Sequence, residues 1–211
     1  MAIRSRRQER KERTREELVE AAARVFARKG FHETTMADVA EEAGYSTGAI
    51  YVHFAGKDEL FLEVAANYVA TRARENQGVR DETGGTLPKR AKALGDHWMA
   101  RVAADPSYMF LSFEFLGYAR NKPELRAQLA PRTAAGRDQI AQMIAEAAQR
   151  DGIELPMSAE DLGIVMRELG GGLAMAKLID PDAFRDELFG EFLETFFSLL
   201  PARTRNLEGA D

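Results

Sequence analysis

The segment YSTGAIYVHFAGKDEL, residues 45–60, brings together side chains that could contact a ligand. Ser46, Thr47 and Gly48 come first, and aromatic residues and a lysine follow. Small residues in the first turn of a helix let its backbone approach another surface closely, and the positive end of the helix dipole attracts phosphate. This order of residues favours hydrogen bonding to a nucleic acid over bond-making chemistry.

The sequence lacks the residue types and spacings that catalysis or metal binding requires. The sequence has no cysteine, which excludes disulfides, thiolate catalysis and cysteine-ligated metals. Carboxylates adjacent in sequence point in different directions on a helix, and the glycines at 170–172 lack the spacing of a nucleotide loop. The histidines, none in a pair at metal-ligand spacing, are His32, His53 and His97. We therefore expect no enzyme activity and no cofactor, with His53 contacting a phosphate or packing.

Apolar residues at helical spacing predict an all-α fold with a helix-turn-helix near its start. The first helix is predicted to stop at Lys29–Gly30. A second is predicted to begin at the N-cap Thr35, with Asp38 completing a capping box, and to end at Gly44. A third is predicted over 47–54, burying its apolar side.

The rest of the sequence predicts further helices, about nine in all. Glycines and acidic residues over 77–86 predict a loop after the fourth helix, which begins near Lys57. Pro131 predicts a kink or break, and Ser158 a helix cap. The later helices are expected near 87–103, 107–119, 123–150, 158–178 and 181–200.

Charge is distributed unevenly along the chain. The whole chain has a net charge of −5, but residues 1–15 hold seven basic residues against Glu9 and Glu12, a net charge of +5. This segment is either a solvated tail or a nucleic-acid contact. The sequence shows neither a secretory signal nor a membrane span, so we expect a cytoplasmic protein without a membrane partner.

The segment FHETTMADVAEEAGYSTGAIYVHFAGKDELF resembles the DNA-binding module of the TetR family of bacterial transcriptional regulators, and the resemblance covers residues 14–61. It implies an all-helical dimer with a three-helix DNA-binding head and a helical ligand-binding and dimerisation body. The predicted domains are a basic N-terminal arm at 1–13, the helix-turn-helix head at 14–60 and the body at 61–211.

The expected DNA contacts lie on and around the third helix. Thr47 can reach a base edge, whereas Tyr51 and Lys57 can reach phosphates. Val52 departs from the family's polar or aromatic residue and could contact a thymine methyl group. The full set is Thr35, Tyr45, Ser46, Thr47, Gly48, Tyr51, His53 and Lys57.

Aromatic residues and methionines of the body suit an apolar effector pocket, although such a stripe is usually core. Glu114 beside Phe113 suggests a largely apolar ligand that is uncharged or cationic. The glycines at 170–172 either allow close helix packing or open space for that ligand. The expected ligand-binding residues are Trp98, Val102, Phe110, Phe113, Glu114, Met143, Met166 and Gly170.

The last two helices carry apolar residues on more than one face, which predicts either a homodimer interface or a wholly intramolecular core. The expected interface residues are Leu162, Val165, Leu169, Leu173, Phe184, Leu188, Phe192 and Phe196. The sequence thus predicts a homodimeric repressor that a small apolar molecule releases from a palindromic operator in double-stranded DNA. The alternative is a DNA-binding protein of the same fold that acts through a protein partner.

Overall fold

A computed structural model describes the backbone of residues 2–202 and the side chains of residues 6–202. The Arg4 side chain and residues 203–211 of the expected body lie outside this range. Within it the chain forms nine α-helices, which confirms the all-α prediction, and its only β structure is an isolated bridge between Ile153 and Ala202. No helix in the described range is long and apolar enough to cross a membrane. The helices are α1 (Ala2–Glu33), α2 (Met36–Glu42), α3 (Thr47–Tyr51), α4 (Lys57–Thr83), α5 (Leu87–Ala104), α6 (Ser107–Tyr118), α7 (Pro123–Asp151), α8 (Ala159–Ile179) and α9 (Leu188–Ser198), with a 3₁₀ turn at Ala119–Asn121.

The helices pack into two compact units. The first unit runs to Thr71 and also includes Ser107–Thr133. The second unit holds Arg72–Pro106 and the chain from Ala134 onward. The first unit includes α6, although the sequence places this helix in the body. The compact units therefore differ from the functional domains expected from the sequence, and those domains stay a prediction.

The first unit has an aromatic core to which α6 contributes. Phe61 stacks on Phe115 with ring centroids 3.7 Å apart, and Phe31 meets Phe115 edge-on at 5.1 Å. All three side chains are buried. Because Phe115 belongs to α6, the three-helix head does not complete this core alone.

From Ala2 onward the basic segment predicted as an arm is part of α1, and its separate function stays a prediction. Arginine, lysine, glutamate and glutamine all favour helix, and Gln8 and Arg13 each hydrogen-bond a glutamate four residues later. The predicted stop is confirmed, because Gly30 adopts φ +74° and interrupts the helical backbone. A short helical stretch to Glu33 follows it.

The loop predicted over 77–86 is wrong for its first seven residues, because α4 continues to Thr83. A single glycine in a helix costs about 1 kcal/mol relative to alanine, which neighbouring contacts can offset. Gln77 hydrogen-bonds Asp81 at 2.7 Å, and Arg80 pairs with Glu146 at 3.2 Å. Only residues 84–86 separate α4 from α5.

Two further helix predictions need correction. The chain is not broken at Pro131, since α7 runs continuously from Pro123 to Asp151. The Arg132 guanidinium donates to the Gln128 carbonyl, and the Thr133 hydroxyl donates to the Ala130 carbonyl, both in the turn around the proline. The last helix begins at Leu188 and not at 181, because residues 180–187 form turns in which the Asp180 carboxylate accepts from the Asp182 backbone N–H.

The core of the second unit is built on α5, α7, α8 and α9, and Gly170 lies where α8 packs closely against Trp98 and Phe189. A Cβ atom at Gly170 would lie 3.0 Å from the Phe189 ring and 3.3 Å from Trp98 Nε1. The Trp98 indole N–H also donates to the Gly170 carbonyl at 2.9 Å. Gly170 therefore permits close helix packing, whereas Gly171 and Gly172 have no such neighbour within 4 Å.

Alanine at two adjacent positions of α8 should have opposite effects on the free energy of unfolding. Gly171→Ala should stabilise the protein by up to about 1 kcal/mol, because alanine is the better helix former and the space is open. Gly170→Ala should destabilise it by about 1 kcal/mol, because the overpacking cost against Phe189 exceeds that gain. Urea unfolding of both variants measures the difference, and equal stabilisation would contradict the close packing.

Candidate nucleic-acid interface

The start of α2 is fixed by the predicted capping box. The Asp38 backbone N–H donates to Thr35 Oγ1 at 3.2 Å, and the Thr35 backbone N–H donates to Asp38 Oδ2 at 2.8 Å. Lys29 Nζ lies 2.8 Å from Asp38 Oδ1. The Lys29 ammonium, followed by the Thr35 donors, lowers the pKa of Asp38 to about 2, so its carboxylate stays charged at neutral pH.

The third helix presents small and aromatic residues to solvent. Ser46 caps it, its hydroxyl accepting from the Ala49 backbone N–H at 3.3 Å. Ile50 and Phe54 are buried, as predicted, whereas Tyr51 is 55% exposed and Val52 is 70% exposed. The helix ends at Tyr51, three residues before the predicted end, although the Phe54 N–H still bonds the Ile50 carbonyl at 3.0 Å.

The fold itself does not require a glycine at position 48. A Cβ atom there would meet only Ser46 Oγ, at 3.9 Å, and the backbone is not left-handed. Glycine at a helical position lowers helix stability relative to alanine. A residue that the fold does not need, at the exposed start of α3, is what close approach of an external surface would require.

Tyr45 is half-buried, and its hydroxyl is held within the chain. It donates to Glu17 Oε2 at 2.5 Å, while Arg13 Nε donates to Glu17 Oε1 at 2.9 Å. These bonds, from Tyr45 first and Arg13 second, lower the pKa of Glu17. Tyr45 therefore ties the turn between α2 and α3 to α1, and its expected contact with DNA stays a prediction.

The structure gives Lys57 a role different from the expected phosphate contact. Its ammonium donates to three backbone carbonyls: Phe31 at 2.7 Å, His32 at 3.0 Å and Thr34 at 2.9 Å. It also lies 4.7 Å from the centroid of the Phe31 ring. An ammonium has three protons, and all three are used, so a phosphate contact would displace one of these carbonyls. We therefore leave Lys57 out of the proposed contact set.

His53 lies close to the basic part of α1. Burial, followed by the charges of Lys11 and Arg15, lowers the pKa of the imidazole, so it is neutral at pH 7. Its Nδ1 atom is buried without a hydrogen-bond partner in the described part of the chain. Arg15 pairs with Glu63 at 2.9 Å and covers the Phe54 ring. Lys11 and Arg15 were not predicted as neighbours of α3, although their spacing of four residues places them on one face of α1.

The expected ligand-binding residues divide between the two units. Phe110 and Phe113 are exposed on α6 of the first unit, and Glu114 lies on the same helix. The Glu114 carboxylate accepts the Phe31 backbone N–H at 2.5 Å and lies in the space beside Gly30, and its expected role as the counter-ion of a ligand stays a prediction. The residues in the second unit are Trp98, Val102, Met143, Met166 and Gly170.

The residues expected at the dimer interface differ in exposure. The prediction for Leu162 is wrong, because this residue is only 1% exposed and belongs to the core of the second unit. Four others are partly buried against that core, namely Leu169, Leu173, Phe184 and Phe196. Val165 and Phe192 are exposed, and the exposed apolar residues missed from the sequence are Ile164, Met175, Ile179 and Leu199.

Comparison with known proteins places this interface in a family. The model of the family "Bacterial regulatory proteins, tetR family" matches residues 18–64, which contain α2, α3 and the capping box. An uncharacterised HTH-type transcriptional regulator of Bacillus subtilis, YfiR, is 46% identical over 130 residues, or 59% of this chain and 60% of that relative. Residues 18–64 are therefore similar to the DNA-binding domain of the TetR family.

Solved structures show a similar fold over most of this chain. FadR from Bacillus subtilis, in complex with stearoyl-CoA, superposes with a TM-score of 0.68 at 13% identity, covering 86% of this chain and 96% of that one. A Saccharomonospora viridis structure with choline superposes with a TM-score of 0.67 at 21% identity, covering 90% of this chain and 99% of that one. The chain spans less than two thirds of the length of the curated relatives it matches.

Within the described range no group of acidic or histidine residues could hold a metal ion.

Proposed function

We propose that this protein is a homodimeric transcriptional regulator of the TetR family that represses by binding a palindromic operator and is released by a small molecule. The observation that carries the proposal is the exposed face of α3. The start of α3 is capped, Gly48 has open space around it, and Tyr51 and Val52 are exposed. On the opposite side of the helix Ile50 is buried and anchors it. A buried anchor with a solvent-facing set of small and aromatic residues is the construction of a recognition helix.

The exposed residues divide into contacts that position the helix and contacts that read sequence. The Tyr51 hydroxyl and the backbone at the start of α3 suit phosphates, which hold register. Thr47 offers a hydroxyl and a methyl group to base edges in the major groove, and Val52 offers an apolar contact to a thymine methyl. Gly48 lets this end of the helix lie deep in the groove.

The exposed apolar stripe on α8 and α9 supports dimerisation through the second unit. Val165 is 49% exposed and Ile179 is 79% exposed, with Met175 between them on the same side of α8. Phe192 and Leu199 continue the apolar surface on α9. A second copy presenting the same two helices would bury this stripe in a two-fold interface. Gly172, exposed and without a side chain, would let the two copies of α8 approach closely.

Val165→Glu should convert the dimer into a folded monomer. A carboxylate in the stripe would be buried without a partner if the dimer formed. Operator affinity should then fall by on the order of a hundredfold, because each head would bind its half-site without the other. Sedimentation and DNA titration measure the two effects, with Leu116→Glu, at an exposed apolar residue of the first unit, as the matched control. A dimeric Val165→Glu variant would exclude this interface.

Operator and effector would compete through two conformers. One conformer would place the two heads in successive major grooves, with half-sites about 34–36 Å apart or a multiple of that spacing. The effector would bind the other conformer more tightly, so DNA and effector would weaken each other's binding by the same factor. The neighbours bind ligands of different charge, stearoyl-CoA in FadR and choline in the Saccharomonospora viridis structure, so they leave the charge of this effector open.

Titration of the purified protein against DNA from its own flanking intergenic region, at several salt concentrations, tests DNA binding. We expect sequence-selective binding. The logarithm of the binding constant should fall by about 0.9 per phosphate contact for each tenfold rise in salt concentration. A scrambled duplex of the same length and composition is the control. Equal affinity for both duplexes would count against a local repressor.

A second candidate function, in which a protein partner replaces the effector, is favoured by the exposed face of α6. Phe110 and Leu116 are each 52% exposed, with Phe113 on the same face. Such a face suits a partner protein better than solvent. Many dispersed genomic sites together with no response to small molecules would favour this candidate, whereas a few sites near promoters would favour the repressor.

A further inference from the structure

Four charged or titratable side chains gather in the second unit, whereas the proposed DNA interface belongs to the first. Arg72 and Glu75 come from α4, and His97 and Arg101 come from α5. We call these four residues the arginine–histidine cluster. They adjoin Trp98, because the Arg72 guanidinium lies 4.8 Å from the centre of the Trp98 ring.

A single carboxylate holds the two guanidinium groups together. Arg101 Nη1 donates to Glu75 Oε1 at 2.7 Å, and Arg72 Nη1 donates to Glu75 Oε2 at 3.2 Å. The Arg72 side chain is 11% exposed, that of Glu75 is 27% exposed and that of Arg101 is 35% exposed, so the pairing with Arg72 is the more withdrawn from water. Both carboxylate oxygens of Glu75 are therefore already engaged.

Two nitrogen atoms of the cluster are buried without a hydrogen-bond partner in the described part of the chain: Arg101 Nε and His97 Nε2. The two residues are four apart on α5, so their side chains are neighbours on one face of the helix. Arg101 Nε–H can only donate, and His97 Nε2 donates when it carries the proton. A buried donor without an acceptor costs free energy that a bound acceptor would recover.

The charges around His97 favour an anion as that acceptor. Burial lowers the pKa of the imidazole, and Arg72 and Arg101 lower it further while Glu75 opposes them. The imidazole thus faces two cations and one anion. A negatively charged group beside His97 and Arg101 would be attracted by both guanidinium groups, whereas a cation would be repelled.

We propose that Arg101 and His97 bind an anionic group, a carboxylate or a phosphate, of an amphipathic effector whose apolar part lies toward Trp98. The inference rests on the proposed function only in calling this ligand the effector. Trp98 joins the cluster to the apolar core, because its indole N–H donates to the Gly170 carbonyl and that core contains Met166 and Phe189. The charge of the ligand is opposite to the one expected from Glu114, whose carboxylate is held by Phe31.

Four probes with one ten-carbon chain and different head groups test the charge of the site: decanoate, decyl phosphate, decanol and decyltrimethylammonium. Calorimetry on the full chain, below micelle-forming concentrations, gives each dissociation constant. We expect decanoate, decyl phosphate or both to bind at least about tenfold more tightly than the neutral and cationic probes, since hydrogen bonds to charged groups are the stronger ones. The ratio between the two anions distinguishes carboxylate from phosphate recognition.

Arg101→Gln should abolish the preference for anions, because it removes the Nε–H donor and one guanidinium charge. Arg80→Gln is the matched control: it breaks the ion pair with Glu146 in the same unit and should leave the preference unchanged. Equal binding of all four probes to the wild type, no binding of any, or an anion preference that survives Arg101→Gln would overturn the proposal. The proposed DNA-binding function is measured separately by the salt titration, so each can fail without the other.

Discussion

Replacing Gly48 with glutamine should weaken operator binding by on the order of a hundredfold, about 3 kcal/mol, while the free energy of unfolding stays the same or rises. A Cβ atom at position 48 meets only Ser46 Oγ within 4 Å, at 3.9 Å, and the position is exposed, so a longer side chain can extend into solvent. It also replaces a glycine in a helix, which favours folding. The loss would arise at the DNA surface, where glutamine would hold the start of α3 away from the groove.

Gly117→Gln is the matched control for this substitution. Gly117 is exposed on α6 in the first unit, and a Cβ atom there also meets open space. Its stability should change as that of Gly48→Gln does, while its operator affinity should remain that of the wild type. DNA titration and urea unfolding of both variants measure the two quantities. Full operator affinity in Gly48→Gln would show that α3 does not enter the groove at this residue.

Features set by neighbouring residues could be predicted from the sequence. The cap at Thr35 with Asp38, the stop at Gly30 and the cap at Ser158 each depend on groups within a few residues, and the structure confirms all three. The burial of Ile50 and Phe54 was predicted because the spacing of apolar residues fixes which side of a short helix faces inward.

Features set by distant partners could not be predicted. The Glu114 carboxylate looked free in the sequence, but it bonds the backbone of Phe31, 83 residues earlier. The length of α4 also depends on a distant partner, because its extension past residue 77 is supported by the ion pair between Arg80 and Glu146. Leu162 was misplaced for another reason: α8 is apolar around most of its circumference, so spacing alone does not tell which stripe faces the core.

Lys57→Met should lower the free energy of unfolding by about 3 kcal/mol, because hydrogen bonds to charged groups are each worth about 1.5–3 kcal/mol and three are lost with partial compensation by water. The ammonium of Lys57 joins the start of α4 to the carbonyls of Phe31, His32 and Thr34, which connect α1 to α2. Methionine keeps the length of the side chain but supplies no donor. The substitution should therefore loosen the support of the helix-turn-helix.

The same variant separates this structural role from the phosphate contact expected from the sequence. A phosphate contact would reduce the slope of log affinity against log salt by about 0.9 and leave unfolding unchanged. A structural role would lower stability and leave that slope unchanged in the protein that remains folded. Lys122→Met is the control, because Lys122 has one ion pair, to Asp58 at 3.8 Å, and covers the Tyr118 ring. A surface pair of this kind is worth at most about 1 kcal/mol, so Lys57→Met should cost clearly more. A flatter salt slope with unchanged stability would return Lys57 to the DNA surface, since only a bound phosphate releases counterions from the DNA.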